Sequence, residues 1–181
     1  MVDLKDFKYK VIPNFITQEE INLLSKYCRI KHRTNLQHFD WAQNKVGDTF
    51  IYGDAVFESL MLTKLNKVQE ISGYNLHPTY AFWRMYSKFS DLTPHTDRPS
   101  CEISVTVMIG SDGTPWPIYM EGEPVVMKPG DAVLYKGCEV KHWREEFEGD
   151  WQSQAFLHYV DAEGPNKHLI RDGRPFYGVL K

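Results

Sequence analysis

The chain has 181 residues, with 24 acidic against 21 basic side chains, a formal net charge of −3, and 42% hydrophobic and 14% aromatic residues. A chain of this length can bury a full core without disulfides or structural metal, and one domain over 1–181 accounts for it. The absence of a basic excess argues against a protein whose main task is gripping phosphate backbones, so a nucleic-acid partner is not expected.

Cys28, Cys101 and Cys138 are an odd number without CxxC spacing. They read as reduced thiols in a cytoplasmic protein rather than a secreted disulfide frame. The N-terminus lacks the apolar run of a signal peptide, and no stretch approaches the ~18 apolar residues that span a bilayer. No membrane partner is expected, and a monomer or weak homodimer fits a small domain.

In chain order, a short alternating segment at 9–12 leads to Thr17-Gln18-Glu19-Glu20, a capping box in which Thr17 and Glu20 satisfy each other's backbone amides. A helix is predicted from there to about Tyr27, followed by a polar, unpatterned stretch over 31–48. Asp54 caps a second helix in which Phe57, Leu60, Met61, Leu65, Val68 and Ile71 recur at three- and four-residue steps, and Gly73 is placed to end it. After Gly73 the apolar runs become short, β-branched or aromatic. Strands are predicted at 79–88, 102–109, 117–120, 123–127, 132–135, 140–143 and 152–160, with turns at Ser111-Asp112-Gly113, Glu121-Gly122 and Pro129-Gly130-Asp131. The expected architecture is mainly β with buttressing helices: a helical buttress over about 1–75, a β core over about 79–160 and an extension over 161–181. Segments 31–48 and 163–178 read as candidate lids.

Seven histidines invite a search for metal ligands, and two open a His-x-Asp triplet, His38-Phe39-Asp40 and His95-Thr96-Asp97. The first lies in the polar loop and reads as a surface pair. The second sits between two strands, where the i, i+2 relation of extended backbone turns both side chains to one face. His142, on a late strand after a Pro-Gly-Asp turn, supplies a third ligand. Two imidazoles and one carboxylate on one face of Fe(II) leave open positions for a co-substrate and dioxygen.

With these residues, the chain resembles the Fe(II)- and 2-oxoglutarate-dependent dioxygenases, in their prolyl 4-hydroxylase-like branch. The likeness covers about 79–160. Arg84-Met85-Tyr86 followed by His95-Thr96-Asp97 is similar to the family's Tyr-x8-His-x-Asp run. Ile103 to Ile109 resembles its next strand, Lys128-Pro129-Gly130-Asp131-Ala132-Val133-Leu134-Tyr135 its Pro-x-Gly-Asp-Ala strand, and His142 its distal histidine. Val11-Ile12-Pro13-Asn14-Phe15-Ile16-Thr17 also resembles how many members begin.

The resemblance implies a double-stranded β-helix (jelly roll, cupin-like). It assigns His95, Asp97 and His142 to iron and to catalysis, and a hydrogen bond to 2-oxoglutarate to Tyr86. It implies Fe(II), 2-oxoglutarate and O2 as cofactor and co-substrates, with ascorbate as an expected stimulant. The implied reaction hydroxylates a C–H bond and releases succinate and CO2. The substrate would be peptidyl, as for a prolyl hydroxylase. One alternative is a free amino acid or other small metabolite, and another is a cupin-like module that binds metal and ligand without turnover.

One stretch departs from the pattern. The family places a cation about ten residues after the distal histidine, where this chain reads Gly149-Asp150-Trp151-Gln152-Ser153-Gln154. A buried dianion needs a counter-charge. Arg144, two residues after His142 and so on the same strand face, is the expected substitute, and Arg84 is second by the same alternation from Tyr86. Arg98 is read as facing either a substrate or solvent. Trp83, Trp116, Trp143 and Trp151 are read as pocket lining or core, and His158 and His168 as structural.

Overall fold

The computed structural model describes residues 4–34 and 47–179. The His38-Phe39-Asp40 triplet lies outside them. Helix α1 (Gln18–Arg33) starts at the predicted capping box, with Thr17 Oγ1 accepting from the Glu20 amide at 3.2 Å and the Glu20 carboxylate accepting from the Thr17 amide at 2.7 Å. It runs six residues beyond the predicted end, because Arg29 to Arg33 contain no helix breaker and place basic side chains in the last turn, where they complement the helix dipole. Helix α2 (Ala55–Ser72) is capped by Asp54 and closed by Gly73 in left-handed backbone at φ 76°, as the sequence indicates.

Among the described residues ten strands follow the order β1 (Tyr9–Ile12), β2 (Thr49–Tyr52), β3 (Leu76–Ser87), β4 (Leu92–His95), β5 (Ile103–Ser111), β6 (Ile118–Met120), β7 (Glu123–Val125), β8 (Ala132–Lys136), β9 (His142–Arg144) and β10 (Trp151–Asp161). They form two antiparallel sheets, a six-stranded one in the order β1-β8-β5-β10-β3-β2 and a four-stranded one in the order β4-β9-β6-β7. The architecture is a double-stranded β-helix with helices against its larger sheet. Strands β2 and β4 are absent from the sequence expectation. Each has four residues, and β4 contains Pro94, which has no amide to donate and is tolerated because β4 edges its sheet.

Both faces of the large sheet are buried, which explains why its strands read as nearly continuous apolar runs. On β3, β5 and β10, Ala81, Trp83, Met85, Val105, Val107, Ala155 and Leu157 join Phe57, Met61 and Val68 of α2 in the main core. The alternate residues of the same strands, among them Phe82, Arg84, Ser104, Phe156 and His158, lie on the opposite face, turned toward the small sheet. Met108, Val133 and Tyr135 from the large sheet pack there with Ile118 and Met120 from β6. Tyr86, Trp116 and Phe147 form a separate small cluster against which Phe156 packs. Trp83 is core and Trp151, beneath Arg29, packs against it, whereas Trp143 stacks on Tyr119 at 5.2 Å. No helix among the described residues is long and apolar enough to cross a membrane.

Candidate metal and co-substrate site

Strands β4 and β9 pair so that His95 lies directly opposite His142. Their ring centroids are 4.3 Å apart. Each ring is oriented by its backbone: His95 Nδ1 contacts the Thr93 carbonyl oxygen at 2.7 Å and His142 Nδ1 the Val140 carbonyl oxygen at 2.9 Å. A carbonyl only accepts, so Nδ1 carries the proton in both, and each Nε2 presents a lone pair.

Asp97 follows in the loop before a 3₁₀ turn at Pro99–Cys101. Its amide donates to the Gly137 carbonyl at 2.8 Å. The two segments approach so closely that a Cβ on Gly137 would stand 2.1 Å from the Cys101 carbonyl oxygen and 2.5 Å from Asp97 Oδ2. Ser104 on β5 donates toward Oδ2 at 3.3 Å, which turns Oδ1 to the histidines. Oδ1 lies 3.7 Å from both Nε2 atoms. The three residues that the sequence singles out therefore converge on one point.

Burial sets their charge states. It pushes the Asp97 carboxyl up to about 6, with His95 opposing, and pushes His142 down to about 4. Near neutral pH the set is a carboxylate facing a neutral His142 imidazole, which suits a divalent transition metal. A second donor group, Asp97, Cys101 and His158, shares the same aspartate. Burial raises the Cys101 thiol far above its ordinary range, which keeps it protonated and a poor ligand.

A cavity of about 320 Å³ opens beside His95, Asp97 and His142, and Tyr80, Phe82, Arg84, Tyr86 and Phe156 contribute to its walls. Arg84 is held there by Asp48, to which its Nε donates at 2.8 Å, and both side chains are buried. Its guanidinium lies 4.2 Å from the Tyr86 ring centroid.

Arg144 differs. Its side chain is buried at 2% exposure, with Nη1 donating to the Trp116 carbonyl at 2.7 Å and the guanidinium 4.7 Å from the Trp116 ring centroid. The Gln154 amide, oriented by its surroundings with nitrogen toward Thr106 and the Val107 carbonyl, accepts from Nη2 at 3.0 Å. Nε has no partner. Among the described residues no carboxylate pairs with Arg144. Burial lowers its pKa to about 10, so it remains a cation near neutral pH.

Sequence reasoning missed Tyr135 and Ser104, and gave His158 only a structural role. Tyr135 is buried on the cavity wall, its ring 4.8 Å from His142. His158 lies on the same wall, bonded through Nδ1 to Ser104 Oγ at 2.8 Å. Inward alternation from Phe156 on β10 was the signal for His158.

No family model matches the chain, and no curated protein matches it. Solved structures do. A non-heme alpha ketoglutarate dependent carbocyclase from nogalamycin biosynthesis, SnoK, superposes with a TM-score of 0.71 at 12% identity, covering 88% of this chain and 82% of that one. The fold is that of the Fe(II)- and 2-oxoglutarate-dependent oxygenases. A Pseudomonas putida prolyl-4-hydroxylase gives a TM-score of 0.68 at 15% identity, covering 87% of this chain and 95% of that one. HygX from Streptomyces hygroscopicus, solved with nickel, 2-oxoglutarate and hygromycin B, gives 0.66 at 14% identity, with coverage of 86% and 83%. On this oxygenase fold, the His95, Asp97 and His142 set lies between the sheets beside the cavity.

Proposed function

We propose that the protein is an Fe(II)- and 2-oxoglutarate-dependent oxygenase that hydroxylates a C–H bond of its substrate. The observation that carries this reading is the pairing of two features on β9: an oriented N,N,O donor set at His142 and an uncompensated buried cation at Arg144, two residues further along the same strand.

The donor set fits a divalent transition metal, with His95 and His142 offering Nε2 and Asp97 offering Oδ1. Iron bound there supplies the oxygen chemistry, in which 2-oxoglutarate and O2 give succinate, CO2 and a hydroxylated substrate. The chain's own residues bind and orient. Arg144 offers Nε–H and a full positive charge to the distal carboxylate of 2-oxoglutarate, a role Arg84 fills less well because Asp48 already takes its Nε and Nη2 in a pair buried on both sides. Tyr86, packed between Arg84 and Trp116, offers a hydroxyl to the same co-substrate. The phenyl rings of Phe82 and Phe156 exclude water from the reacting face.

The size of the cavity favours a small substrate or a single side chain over an extended one, since about 320 Å³ is near the lower end for ligand sites and must also admit the co-substrate. Purified protein supplied with Fe(II), 2-oxoglutarate and air should form succinate even without substrate, and His95→Ala should abolish it. No succinate from the wild type, together with unchanged iron binding in His95→Ala, would sink the proposal.

A further inference from the structure

Beside the ligand set, the cavity wall is braced by a C-terminal segment that the oxygenase reading leaves without a task. Arg171 and Asp172 both adopt left-handed backbone, at φ 57° and 54°. Such a conformation is strained for a non-glycine residue, and it persists only where the surroundings hold it. Here the holding contacts converge on the buried Asp172 carboxylate. It accepts from Tyr52 Oη at 2.6 Å, from Ser100 Oγ at 2.6 Å, and from both Nη atoms of Arg98 at 3.1 and 3.0 Å. Burial opposes its ionisation, but these hydrogen bonds outweigh burial and hold the carboxyl down to about 2.

The group that Asp172 positions is Arg98, the residue after the ligand Asp97. Its guanidinium lies 4.6 Å from the Tyr80 ring centroid, and its side chain is 47% exposed, whereas that of Asp172 is 1% exposed. The pair engages one edge of the fork, and a guanidinium carries five N–H donors, so donors remain for a second acceptor. A fork already stacked and paired loses little freedom when an anion arrives. The remaining surroundings suit an anion with an apolar body. Arg84 is buried with its Nε and Nη2 on Asp48, whereas the Arg98 pair leaves that side chain half exposed; burial pushes His158 down to about 3 and keeps it uncharged, and Phe82 and Phe156 pack with ring centroids 5.9 Å apart.

We propose that Arg98 is the receptor for a carboxylate on the substrate, and that the substrate is a small carboxylic acid whose apolar body packs on Phe82 and Phe156 beside the metal-ligand set. This role presupposes the oxygenase reading above. It narrows that reading from any small molecule to one charge class.

The test uses the full chain with Mn(II) and saturating 2-oxoglutarate under nitrogen, so that the metal and co-substrate sites are filled and no turnover occurs. Phenylacetate, 3-phenylpropionate, hexanoate and L-phenylalanine are titrated calorimetrically, each beside its primary amide. At least one acid should bind roughly tenfold or more tightly than its amide, the size expected for a hydrogen bond to a charged group. Arg98→Gln should erase that preference, and Arg98→Lys, which keeps the charge without the fork, should weaken it several-fold. The proposal is overturned if no acid binds at millimolar concentration, if acids and amides bind alike, or if the preference survives in Arg98→Gln. Should Arg98→Gln fail to fold, an unchanged preference in Arg98→Lys overturns it equally. Failure of the oxygenase reading has a different signature, the absence of Mn(II)-dependent 2-oxoglutarate binding by the wild type, and it removes the Arg98 role as well.

Discussion

His95 and His142 face each other across the β4–β9 pair, and each anchors Nδ1 to the carbonyl two residues before it. That shared device fixes the tautomer and leaves both unprotonated Nε2 atoms 3.7 Å from Asp97 Oδ1. Substituting either histidine by alanine should lower Mn(II) affinity at least tens-fold, as read by titration calorimetry. The two variants should differ in stability, because the His142 side chain is 3% exposed and its loss leaves a cavity, whereas the His95 side chain is 29% exposed. Wild-type metal affinity in either variant would remove that residue from the ligand set.

Arg144 and Arg84 should separate cleanly. Arg144 is a buried cation without a carboxylate partner among the described residues, so Arg144→Met relieves a desolvation cost and should leave the protein without 2-oxoglutarate as stable as wild type or more so. The same variant should raise the 2-oxoglutarate requirement for succinate formation at least tenfold. Arg84→Met instead strands Asp48 as a buried unpaired carboxylate and should cost about 3 kcal/mol or more of stability. Chemical denaturation with and without 2-oxoglutarate checks both. A destabilised Arg144→Met with normal 2-oxoglutarate dependence would reverse the assignment.

The helix caps, most core strands and the convergence of His95, Asp97 and His142 were legible in the sequence because each depends on local spacing: a capping box, period-two alternation, or an i, i+2 pair. What was illegible depends on pairing between distant segments. Strand β4 exists because β9 borrows its backbone, since Leu-Thr-Pro-His has weak intrinsic strand preference. The neutralisation of Arg84 by Asp48 joins residues 36 apart, and nothing in the alternation of β3 announces it. The Asp172 brace on Arg98 spans 74 residues and ends in an irregular segment. Alternation told which face Arg144 and Arg84 occupy, but only three-dimensional contacts told which of the two still carries an unmet charge.

Gly137 should prove as sensitive as a ligand. The β8–β9 turn brings it against Cys101 and Asp97 so tightly that an added methyl group displaces backbone as well as a carboxylate. Gly137→Ala should therefore lower metal affinity by at least tenfold while the β core persists, because the displaced atoms lie at the site and not in the main cluster. Metal titration together with a far-ultraviolet circular dichroism spectrum distinguishes this outcome from global unfolding. Unchanged metal affinity would show that Asp97 is not held by this contact.

His158 should contribute to the acid sensitivity of the metal-free protein alongside His142, which burial also lowers, to about 4. Burial first, then the nearby Arg98 charge, lowers its folded-state pKa to about 3 from an ordinary 6.5. Between those values the unfolded chain binds a proton that the folded chain refuses, so stability falls as pH drops below 6.5, by about 1.4 kcal/mol per pH unit from this group. From pH 7 to pH 5 the loss is about 2 kcal/mol. Asp97 acts in the opposite sense, since its raised folded-state pKa makes protonation favour the folded state as pH falls through about 6. The Asp97 and His142 contributions are common to wild type and variant and cancel in their difference. His158→Gln, which keeps a polar group for Ser104, should lose about 2 kcal/mol less than wild type between pH 7 and pH 5 in urea melts with chelator present. Parallel losses in the two proteins would mean that His158 takes up its proton in the folded state.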